Sequence, residues 1–488
     1  MRYILDKDKR LRGWDKLPFG LYYCMKRKAD FFRRDEYEVL LLADGQTDLN
    51  EESLTDAQRE SLKFFLKGGI LRQAQPGEKL SQEQKYRKYD CSYYETCQWS
   101  ITGSCNFHCR HCFLKAGTSH LPELPFERLT RVMDMLTECG IHSVNLTGGE
   151  PLVRKDFWQI VDALTERDIR VNTIFTNGLL FNERFIEEAQ KRDLLGTFQV
   201  QISFDGVGWH DWMRNTRGAE EAALRAFRLC RDHQIPASCS CTLSRNSISS
   251  IRETVRTLAE MNVTGIKIAG ANPLGEWKNY PELCLDVQEE FQAALDYIPQ
   301  YFEDHAPCSI QLAGGLFSFD PTGDPGMRAE VGSIKGCGEE DFVHQLACPH
   351  IRRSLYIGVD GNVLPCMSMS GTAIEKRFPN VYEQGLCSIL KDSDYLNAAN
   401  VRVSDIMKHN EKCASCRYRE LCLGGCRAMA VGSDGTDYLA PEPKQCEMYR
   451  GGWAKKAVDT AIRSIEKYGF PPEEGLLKLK ELLEETGD

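Results

Sequence analysis

The sequence predicts an α/β protein built around a partial (β/α)6 barrel, TIM-like in plan, between an N-terminal module and a loop-rich C-terminal domain. Between residues 95 and 310, β-rich runs alternate with amphipathic helical stretches, which is typical of parallel βαβ units. Cysteines and turn residues are concentrated in 337–446, which favours irregular structure held together by metal. The length of 488 residues suggests about three domains.

The order of these segments predicts four regions. They are an N-terminal module (1–90), the barrel (95–310), the cysteine-rich domain (330–450) and a helical tail (451–488). Six strands are predicted in the barrel, at 98–102, 142–147, 171–176, 198–204, 237–243 and 265–270. Six units are too few to close an eight-stranded barrel, so we expect an open sheet with its chemistry at the carboxyl ends of the strands.

Composition and charge argue against several classes of protein. No run of 18 apolar residues is present, so no membrane-spanning helix is expected. The N-terminus, MRYILDKDKRLRGWDK, is charged where a secretory signal would be apolar, which predicts a cytoplasmic location. The net charge of −10 argues against nucleic acid as the main partner. In a reducing compartment, 21 cysteines indicate metal ligation or redox chemistry rather than a disulfide framework.

The first motif, SCNFHCRHC, places Cys105, Cys109 and Cys112 directly after the first predicted barrel strand. Three thiolates within one short loop can bind a single metal centre. A closed zinc site needs a fourth ligand, and His108 or His111 within the same loop would have poor reach to it. An iron–sulfur cluster with three protein ligands, which leaves one iron open to substrate, is the favoured interpretation; closed zinc is the alternative.

The second motif is Thr147-Gly148-Gly149-Glu150-Pro151, at the end of the second strand. Glycines allow the backbone to approach a ligand closely, and the Glu150 carboxylate can accept hydrogen bonds from an ammonium group. A Gly-Gly turn alone is weak support for a site. Its position one βα unit after the cysteine loop makes the combination specific.

Together the two motifs resemble the radical S-adenosylmethionine (SAM) superfamily. The resemblance implies that Cys105, Cys109 and Cys112 hold a catalytic [4Fe–4S] cluster and that the loop Gly148–Glu150 binds the amino group of SAM. It also implies an oxidoreductase that makes a 5′-deoxyadenosyl radical, which abstracts a hydrogen atom. An electron donor such as flavodoxin or ferredoxin is then expected. His111 departs from the family, since many members have an aromatic residue there near the adenine.

Other strand ends fit the same resemblance. Asn177 follows the third strand, Ser203 and Asp205 lie at the end of the fourth, and Arg214 ends HDWMR, which is similar to the family's HDxxR segment. The resemblance implies that these residues contact SAM, with Ser203 and Arg214 reaching its ribose or carboxylate. Two alternatives remain open from the residues alone: Asp205 as a turn cap and Arg214 as a solvated helix residue.

The C-terminal cysteines are similar in order and spacing to the SPASM domain, which binds auxiliary clusters in peptide-modifying radical SAM enzymes. The sequence has Cys348-x12-Gly361-x4-Cys366 and, further on, Cys413-x2-Cys416-x5-Cys422-x3-Cys426, followed by Cys446. The resemblance implies two auxiliary [4Fe–4S] clusters, which makes three clusters in all. It also implies that the first auxiliary cluster is bound by Cys337, Cys348, Cys366 and Cys426, and the second by Cys413, Cys416, Cys422 and Cys446. Cys308 is a weaker competitor for Cys337, and two zinc ribbons are the alternative to the clusters.

Residues 1–90 look like the small winged-helix peptide-recognition module related to the peptide chaperone of pyrroloquinoline quinone biosynthesis. Such modules bind a leader peptide by strand addition. Residues 1–40 contain eleven Lys and Arg against seven Asp and Glu, which favours an acidic peptide. A structural extension packed on the barrel is the alternative.

The expected function is therefore a radical SAM peptide maturase that forms a thioether or carbon–carbon crosslink in a ribosomal precursor peptide. Epimerisation of a peptide, or action on a small molecule, a haem precursor or a folded protein, are alternatives. Sulfatase-type maturation is disfavoured because Met367 stands where that family has Asp. A non-catalytic iron–sulfur or zinc scaffold is a third class, which the Gly148–Glu150 loop argues against.

Overall fold

The structure is a computed structural model that describes residues 1–49, 54–117, 123–322, 327–331, 342–432, 435–471 and 474–485. Cys337, the expected eighth auxiliary ligand, lies outside these ranges. Within them, no helix is both long enough and apolar enough to cross a membrane.

The strands fall into an N-terminal group and a central group. Those of the N-terminal group are β1 (Arg2–Leu5), β2 (Lys9–Trp14), β3 (Leu17–Tyr23), β4 (Lys28–Phe31), β5 (Asp44–Asp48), β6 (Leu71–Gln73) and β7 (Arg87–Lys88). Those of the central group are β8 (Thr96–Thr102), β9 (Ser143–Gly148), β10 (Arg170–Thr176), β11 (Gln199–Ser203), β12 (Ala237–Leu243), β13 (Gly265–Gly270), β14 (Ser309–Leu312), β15 (Phe317–Asp320), β16 (Arg328–Val331), β17 (Ser354–Ile357) and β18 (Val363–Leu364).

The helices are long in the first two thirds of the chain and short in the cysteine-rich region. The first nine are α1 (Arg34–Leu42), α2 (Asp56–Lys67), α3 (Phe126–Glu138), α4 (Phe157–Glu166), α5 (Glu183–Lys191), α6 (His210–Arg214), α7 (Ala219–Asp232), α8 (Ile251–Ala259) and α9 (Val287–Glu303). They are followed by α10 (Val381–Gln384), α11 (Leu386–Ile389), α12 (Asp394–Ala399), α13 (Val403–His409), α14 (Glu411–Ala414), α15 (Arg419–Cys422), α16 (Arg427–Val431), α17 (Pro443–Arg450), α18 (Trp453–Lys467) and α19 (Glu474–Glu485).

The central sheet contains the predicted barrel strands. Its order is β16-β15-β14-β13-β12-β11-β10-β9-β8-β17-β18. The six strands β8 to β13 are the predicted ones; they lie side by side in chain order and are parallel. Amphipathic helices connect them, so apolar stripes pack on one face of the sheet. The α/β class and the open parallel plan are thereby confirmed.

The sheet is wider than six strands. After α9, β14 adds a further parallel strand beside β13, and β15 and β16 continue as antiparallel partners. At the other end, β17 pairs in parallel with β8, with Ser354 opposite Thr96. The cysteine-rich region therefore shares a sheet with the barrel, and β17 extends this sheet on the side of the first cysteine loop.

The two faces of the parallel strands differ in chemistry. In β12 the buried positions are Ala237, Cys239, Cys241 and Leu243, which join the apolar core, and Ser238, Ser240 and Thr242 alternate with them. Cys239 and Cys241 therefore lie on the buried apolar face. The opposite face is polar and contributes to a cavity of about 430 Å³ between β11 and β16, whose lining also includes the apolar residues Ile266, Ile310 and Phe319. We call this cavity the lumen; its lining includes Gln201, Lys267 and Gln311.

The N-terminal residues form a small unit with a hydrophobic core of its own. Two sheets, β5-β1-β6 and β4-β3-β2-β7, flank the helix pair α1 and α2. Leu21, Leu40 and Phe65 belong to this separate core. The sequence predicts strands and short helices here, which the structure has; the winged-helix description stays a prediction.

The tail is a packing element of the barrel. Helix α18 lies against α9, where the rings of Trp453 and Phe291 are 5.7 Å apart, and α19 packs on α18. The apolar sides of these two helices, including Leu479, are buried in the main core.

Candidate active site

The predicted site residues lie at one edge of the central sheet. Cys105 follows the end of β8, Gly148 ends β9, Asn177 follows β10 and Ser203 ends β11. Because these strands are parallel neighbours, their carboxyl ends meet at the same edge. Residues separated by almost 100 positions are thus brought into one site by topology.

The cysteine loop directs backbone and side-chain donors at its sulfurs. Cys105 Sγ accepts the Phe107 N–H at 3.4 Å, and Cys112 Sγ accepts the Ala116 N–H at 3.3 Å. Cys109 Sγ lies 3.8 Å from Arg214 Nη1. Burial raises the pKa of the Cys105 thiol to about 12. Such a thiol ionises on binding a metal centre, and the surrounding donors then stabilise the thiolate charge.

The spacing of these three thiols fits a cluster better than a single ion. Thiolates on one tetrahedral zinc ion lie about 3.8 Å apart, given a Zn–S bond of about 2.3 Å. Among the residues that the structure describes, the group of three candidate ligands whose atoms all lie within 4.8 Å is a different one, Cys91, Cys139 and Cys387. The wider spacing of Cys105, Cys109 and Cys112 suits ligands on separate irons.

The glycines of the second motif are required by contacts with the cysteine loop. A Cβ atom on Gly148 would lie 2.2 Å from the Thr102 carbonyl oxygen, and one on Gly149 would lie 2.2 Å from that of Ser104. Gly148 also has a φ of +144°. The close approach that the sequence predicts is present, but the partner is protein backbone. These glycines hold the cysteine loop against the end of β9.

Glu150 is held rigidly beside this contact. Its Oε1 accepts the Thr176 hydroxyl at 2.9 Å and the Leu152 N–H at 3.2 Å, and its Oε2 accepts the Asn177 N–H at 2.7 Å. Burial raises the pKa of Glu150 to about 7, although the three hydrogen bonds oppose the rise. A carboxylate accepts about four hydrogen bonds, so Glu150 retains capacity for one further donor, such as an ammonium group.

Asn177 ties the third strand to the cysteine loop. Its Nδ2 donates to Asn106 Oδ1 at 2.7 Å, and its Oδ1 accepts the Leu179 N–H at 3.0 Å. Ser203 is half-buried and shares the lumen face of β11 with Gln201. Asn177 therefore contacts the cysteine loop directly, and Ser203 lies at the carboxyl end of the neighbouring strand.

Asp205 and Arg214 form a buried ion pair. Asp205 Oδ1 accepts Arg214 Nη2 at 3.0 Å and the Thr242 N–H at 3.0 Å, and Arg214 Nε lies 2.6 Å from Asp205 Oδ2. The Asp205 N–H donates to His210 Nδ1 at 2.9 Å. Burial alone would raise the pKa of Asp205, but the Arg214 charge holds it well below its usual range. Arg214 is thus a buried and oriented side chain, not a solvated one, and Asp205 orients it.

One aromatic residue at the site, Trp277, lies in no motif that the sequence analysis recognised. Trp277 is fully buried, and its ring meets that of His111 edge to face at 6.5 Å. The indole Nε1 of Trp277 and the Nδ1 of His111 are both buried without a hydrogen-bond partner. The Trp277 segment closes over the cysteine loop because the Glu276 N–H donates to the Cys112 carbonyl at 3.0 Å. Two unsatisfied buried polar atoms beside the loop fit a site that a polar ligand completes.

The C-terminal cysteines form two groups. Cys426 is an electrostatic neighbour of both Cys348 and Cys366, which also neighbour each other. Cys308 lies elsewhere, in the core beside Tyr297 and Tyr301, and burial raises its pKa to about 12. The structure thus brings together three members of the first predicted ligand set, including Cys426, which follows Cys422 of the second set in the sequence.

The second group lines a cavity of its own. Cys413, Cys416, Cys422 and Cys446 surround about 80 Å³ whose other walls include Met407 and Ile406. Arg427, which is 2% exposed, is an electrostatic neighbour of Cys413, Cys422 and Cys426 and therefore lies between the two groups. Its guanidinium donates to the Tyr438 and Ala440 carbonyls, each at 2.9 Å.

Comparison with known proteins agrees with this arrangement. The radical SAM superfamily matches residues 99–258, and SPASM, an iron-sulfur cluster-binding domain, matches residues 348–417. The chain is 26% identical to the AdoMet-dependent heme synthase of Methanosarcina barkeri over 362 residues, which are 72% of this chain and 96% of that protein. It is 26% identical to the PqqA peptide cyclase of Granulibacter bethesdensis over 342 residues, 69% of this chain and 83% of the cyclase.

The fold is similar to that of Streptococcus suis SuiB bound to precursor peptide SuiA. The TM-score is 0.60 with 16% sequence identity, and the match covers 90% of this chain and 99% of SuiB. At that identity the likeness is one of fold.

The parallel sheet, the cysteine loop and the two further cysteine groups are typical of an iron–sulfur enzyme that uses SAM as a cofactor. The chain contains a radical SAM domain in residues 99–258 and a SPASM domain in residues 348–417. Its cofactors are SAM with a [4Fe–4S] cluster in the radical SAM domain and auxiliary iron–sulfur clusters in the SPASM domain.

Proposed function

We propose that this enzyme modifies a ribosomally made precursor peptide and forms a thioether or carbon–carbon crosslink within it. The observation on which the proposal rests is the polar lumen. Five parallel strands present amide, hydroxyl and ammonium groups on positions outside the apolar core, and two of them, Gln201 and Lys267, line the lumen; the others are Gln98, Asn145 and Ser240. A peptide offers an amide donor and acceptor at every residue, so this wall is complementary to an extended peptide backbone.

The position of the lumen also relates the proposed SAM site to the first auxiliary cluster. Lys267 lines the lumen and is an electrostatic neighbour of Cys366 in the first SPASM group. Ser203 lies on the same face of β11 as Gln201, toward the carboxyl end of the strand, and the cysteine loop lies at that edge of the sheet. A peptide that extends from the lumen along this face would run from the auxiliary centre toward the SAM side.

The N-terminal unit supports the peptide assignment. Six of the seven large apolar side chains that are exposed in the described residues lie in this unit or at its edge: Met1, Met25, Leu41, Leu42, Phe64 and Tyr86. Phe64 is 62% exposed on α2, close to α1 with Leu41 and Leu42. Exposed apolar groups on a small separate core are typical of an interaction surface. We assign residues 1–90 as the region that binds the leader.

The site residues have distinct proposed roles. Cys105, Cys109 and Cys112 hold the cluster, and Glu150 accepts the SAM ammonium. Arg214 places its positive charge beside the Cys109 sulfur. When bound, SAM and the reduced cluster supply a 5′-deoxyadenosyl radical that removes a hydrogen atom from the substrate. Gly148 and Gly149 fix the loop, and Asn177 links it to β10, so the protein supplies a preformed cradle.

The two C-terminal groups are proposed to hold the auxiliary clusters. Cys413, Cys416, Cys422 and Cys446 provide four thiolates around one cavity. Cys348, Cys366 and Cys426 provide three, and Cys337 would complete the set. Two fully ligated clusters suit electron transfer, because a peptide radical must lose one electron when a crosslink closes.

A tetrapyrrole substrate is the second candidate, favoured by the match to 96% of a heme synthase. A tetrapyrrole macrocycle is broad and largely apolar, so its pocket needs apolar and aromatic walls. The lining of the lumen has apolar side chains but also groups of both charges: Lys267, Asp320, Arg328 and Glu330. The two acidic side chains would repel the carboxylates of a tetrapyrrole, so the lining favours the peptide.

The test uses the reconstituted, reduced enzyme with SAM and the peptide encoded beside its gene. We expect a peptide product lighter by a pair of hydrogen atoms, together with 5′-deoxyadenosine. The same peptide without its leader is the matched control and should react poorly. A product of unchanged mass that gains deuterium in heavy water would indicate epimerisation instead. Turnover of a tetrapyrrole with an inert peptide would overturn the proposal.

A further inference from the structure

Three cysteines that belong to neither set of proposed cluster ligands form a compact group at a junction of the fold. The Sγ atoms of Cys91, Cys139 and Cys387 all lie within 4.8 Å of one another. Cys91 and Cys139 are fully buried, and Cys387 is half-buried. None of them belongs to the radical SAM or SPASM ligand sets. We call this group the junction triad.

The junction triad joins three separate parts of the chain. Cys91 lies between β7 and β8, at the end of the N-terminal unit, Cys139 is the C-terminal cap of α3 in the barrel, and Cys387 lies in α11 of the SPASM region. The Cys91 thiol donates to the Cys139 carbonyl at 3.7 Å, and the Cys387 thiol donates to the Asp90 carbonyl at 3.8 Å.

The backbone around the triad is fixed independently of the thiols. The Ser92 N–H donates to the Leu390 carbonyl at 2.9 Å, and the Asp15 N–H donates to the Cys91 carbonyl at 3.0 Å. The Trp14 indole donates to the Cys139 carbonyl at 3.0 Å and stacks on Tyr89 at 5.3 Å. The backbone that carries the three cysteines is therefore fixed before any ligand binds, which favours a preorganised site.

The size and charge of the triad suit a thiophilic cation. Thiolates on a tetrahedral zinc ion lie about 3.8 Å apart, so closure from within 4.8 Å needs only side-chain rotation. The ionisable groups next to the triad, Asp15, Asp90 and Glu138, are acidic. An anionic pocket of soft donors favours a cation such as Zn²⁺ over hard cations.

We propose that Cys91, Cys139 and Cys387 form a structural site for Zn²⁺, with water as the fourth ligand on the half-exposed Cys387 side. Binding forms three Zn–S bonds and releases three thiol protons to solvent. No electron transfer is involved. The ion would fasten the segment between the N-terminal unit and the barrel to both α3 and α11. It would thereby fix the N-terminal unit relative to the lumen.

The experiment compares zinc content in the iron-loaded holoenzyme, so that the cluster ligands are already occupied. Zn²⁺ is added, excess is removed, and zinc and iron are counted by elemental mass spectrometry. We expect about one zinc more per chain in the parent enzyme than in Cys387→Ala, with unchanged iron. Cys24→Ala, which removes another half-buried thiol, is the matched control and should retain the zinc.

A second measurement separates a specific site from loose binding. Zinc K-edge absorption should show three sulfur ligands at about 2.3 Å in the parent enzyme. Equal zinc in the parent and Cys387→Ala would overturn the proposal, as would a disulfide between two of the three cysteines in the freshly isolated protein. Because Cys387 is half-exposed, its truncation leaves no large cavity, and unchanged iron reports that the variant has folded.

Discussion

Arg214 Nη1 lies 3.8 Å from Cys109 Sγ, while the same guanidinium is paired with the buried carboxylate of Asp205. This contact joins the end of the HDWMR helix to the loop after β8, across more than 100 residues. A fixed positive charge beside a thiolate ligand stabilises the ionised sulfur. The aspartate is needed because an unpaired Arg214 would be free to turn away from Cys109.

Arg214→Met should destabilise the protein without cluster by about 3–5 kcal/mol, because it leaves the Asp205 carboxylate buried and unpaired. The double variant Arg214→Met with Asp205→Asn should recover part of the loss. Urea unfolding of the two proteins measures this. A double variant no more stable than the single one would contradict the pairing.

Affinity for SAM should fall as the pH is lowered through about 7. The pKa of Glu150 is raised to about 7 by burial, so the carboxylate that is proposed to accept the SAM ammonium is progressively protonated below that pH. Each pH unit further down should weaken binding up to about tenfold. Calorimetric titration of the holoenzyme between pH 6 and 8 measures the effect.

Glu150→Gln is the control for that titration. It should bind SAM weakly at every pH, with iron content unchanged, since Glu150 is proposed to contact the ligand and not the metal. The same substitution should also alter stability with pH. In the parent, the raised pKa of Glu150 contributes stability that is present below its unfolded pKa near 4.5 and is lost as the pH rises through about 7. If the stability of Glu150→Gln changed with pH in the same way as that of the parent, Glu150 would not be the group responsible for this pH dependence.

Replacing Cys105, Cys109 and Cys112 together by Ala should abolish 5′-deoxyadenosine formation. About eight iron atoms, four for each auxiliary cluster, should remain bound in the SPASM region. Iron analysis and chromatography of the SAM products measure the two quantities. Continued formation of 5′-deoxyadenosine would show that the radical cluster is held elsewhere.

Cys337→Ala should lower the bound iron or change the spectrum of the first auxiliary cluster. Cys308→Ala should do neither, because Cys308 is buried in the core beside Tyr297 and Tyr301, away from the SPASM group. Iron content and electron paramagnetic resonance spectra compare the two. No change in either variant would leave the first auxiliary cluster with an open iron and favour direct binding of a substrate thiolate, whereas an effect of Cys308→Ala alone would make Cys308 the fourth ligand.

Much of the barrel could be predicted from sequence because its strands repeat one physical pattern. β12 and β13 have the predicted bounds, and β8 begins two residues before its predicted start. β14 and β17 could not be predicted, since each is only four residues long and gains its place by pairing with a distant strand. Short strands carry little periodicity of their own.

The candidate site, like the fold, has parts that could be predicted from sequence and parts that could not. Cysteine spacing located the ligand candidates, because metal chemistry restricts which residue types can serve. Trp277 could not be found, since its place over the cysteine loop depends on the contact between Glu276 and Cys112. The role of Gly148 could not be predicted from sequence either, because a glycine indicates a close approach but does not show which group approaches it.

The central claim is that the hydrogen atom removed comes from a peptide. The most direct measurement uses the neighbouring-gene peptide produced in heavy medium, so that its carbon-bound hydrogens are deuterium, with unlabelled SAM and reduced holoenzyme. We predict 5′-deoxyadenosine that contains one deuterium atom and a peptide that has lost deuterium at the modified residue. Unlabelled 5′-deoxyadenosine, formed at the same rate with and without peptide, would contradict the account.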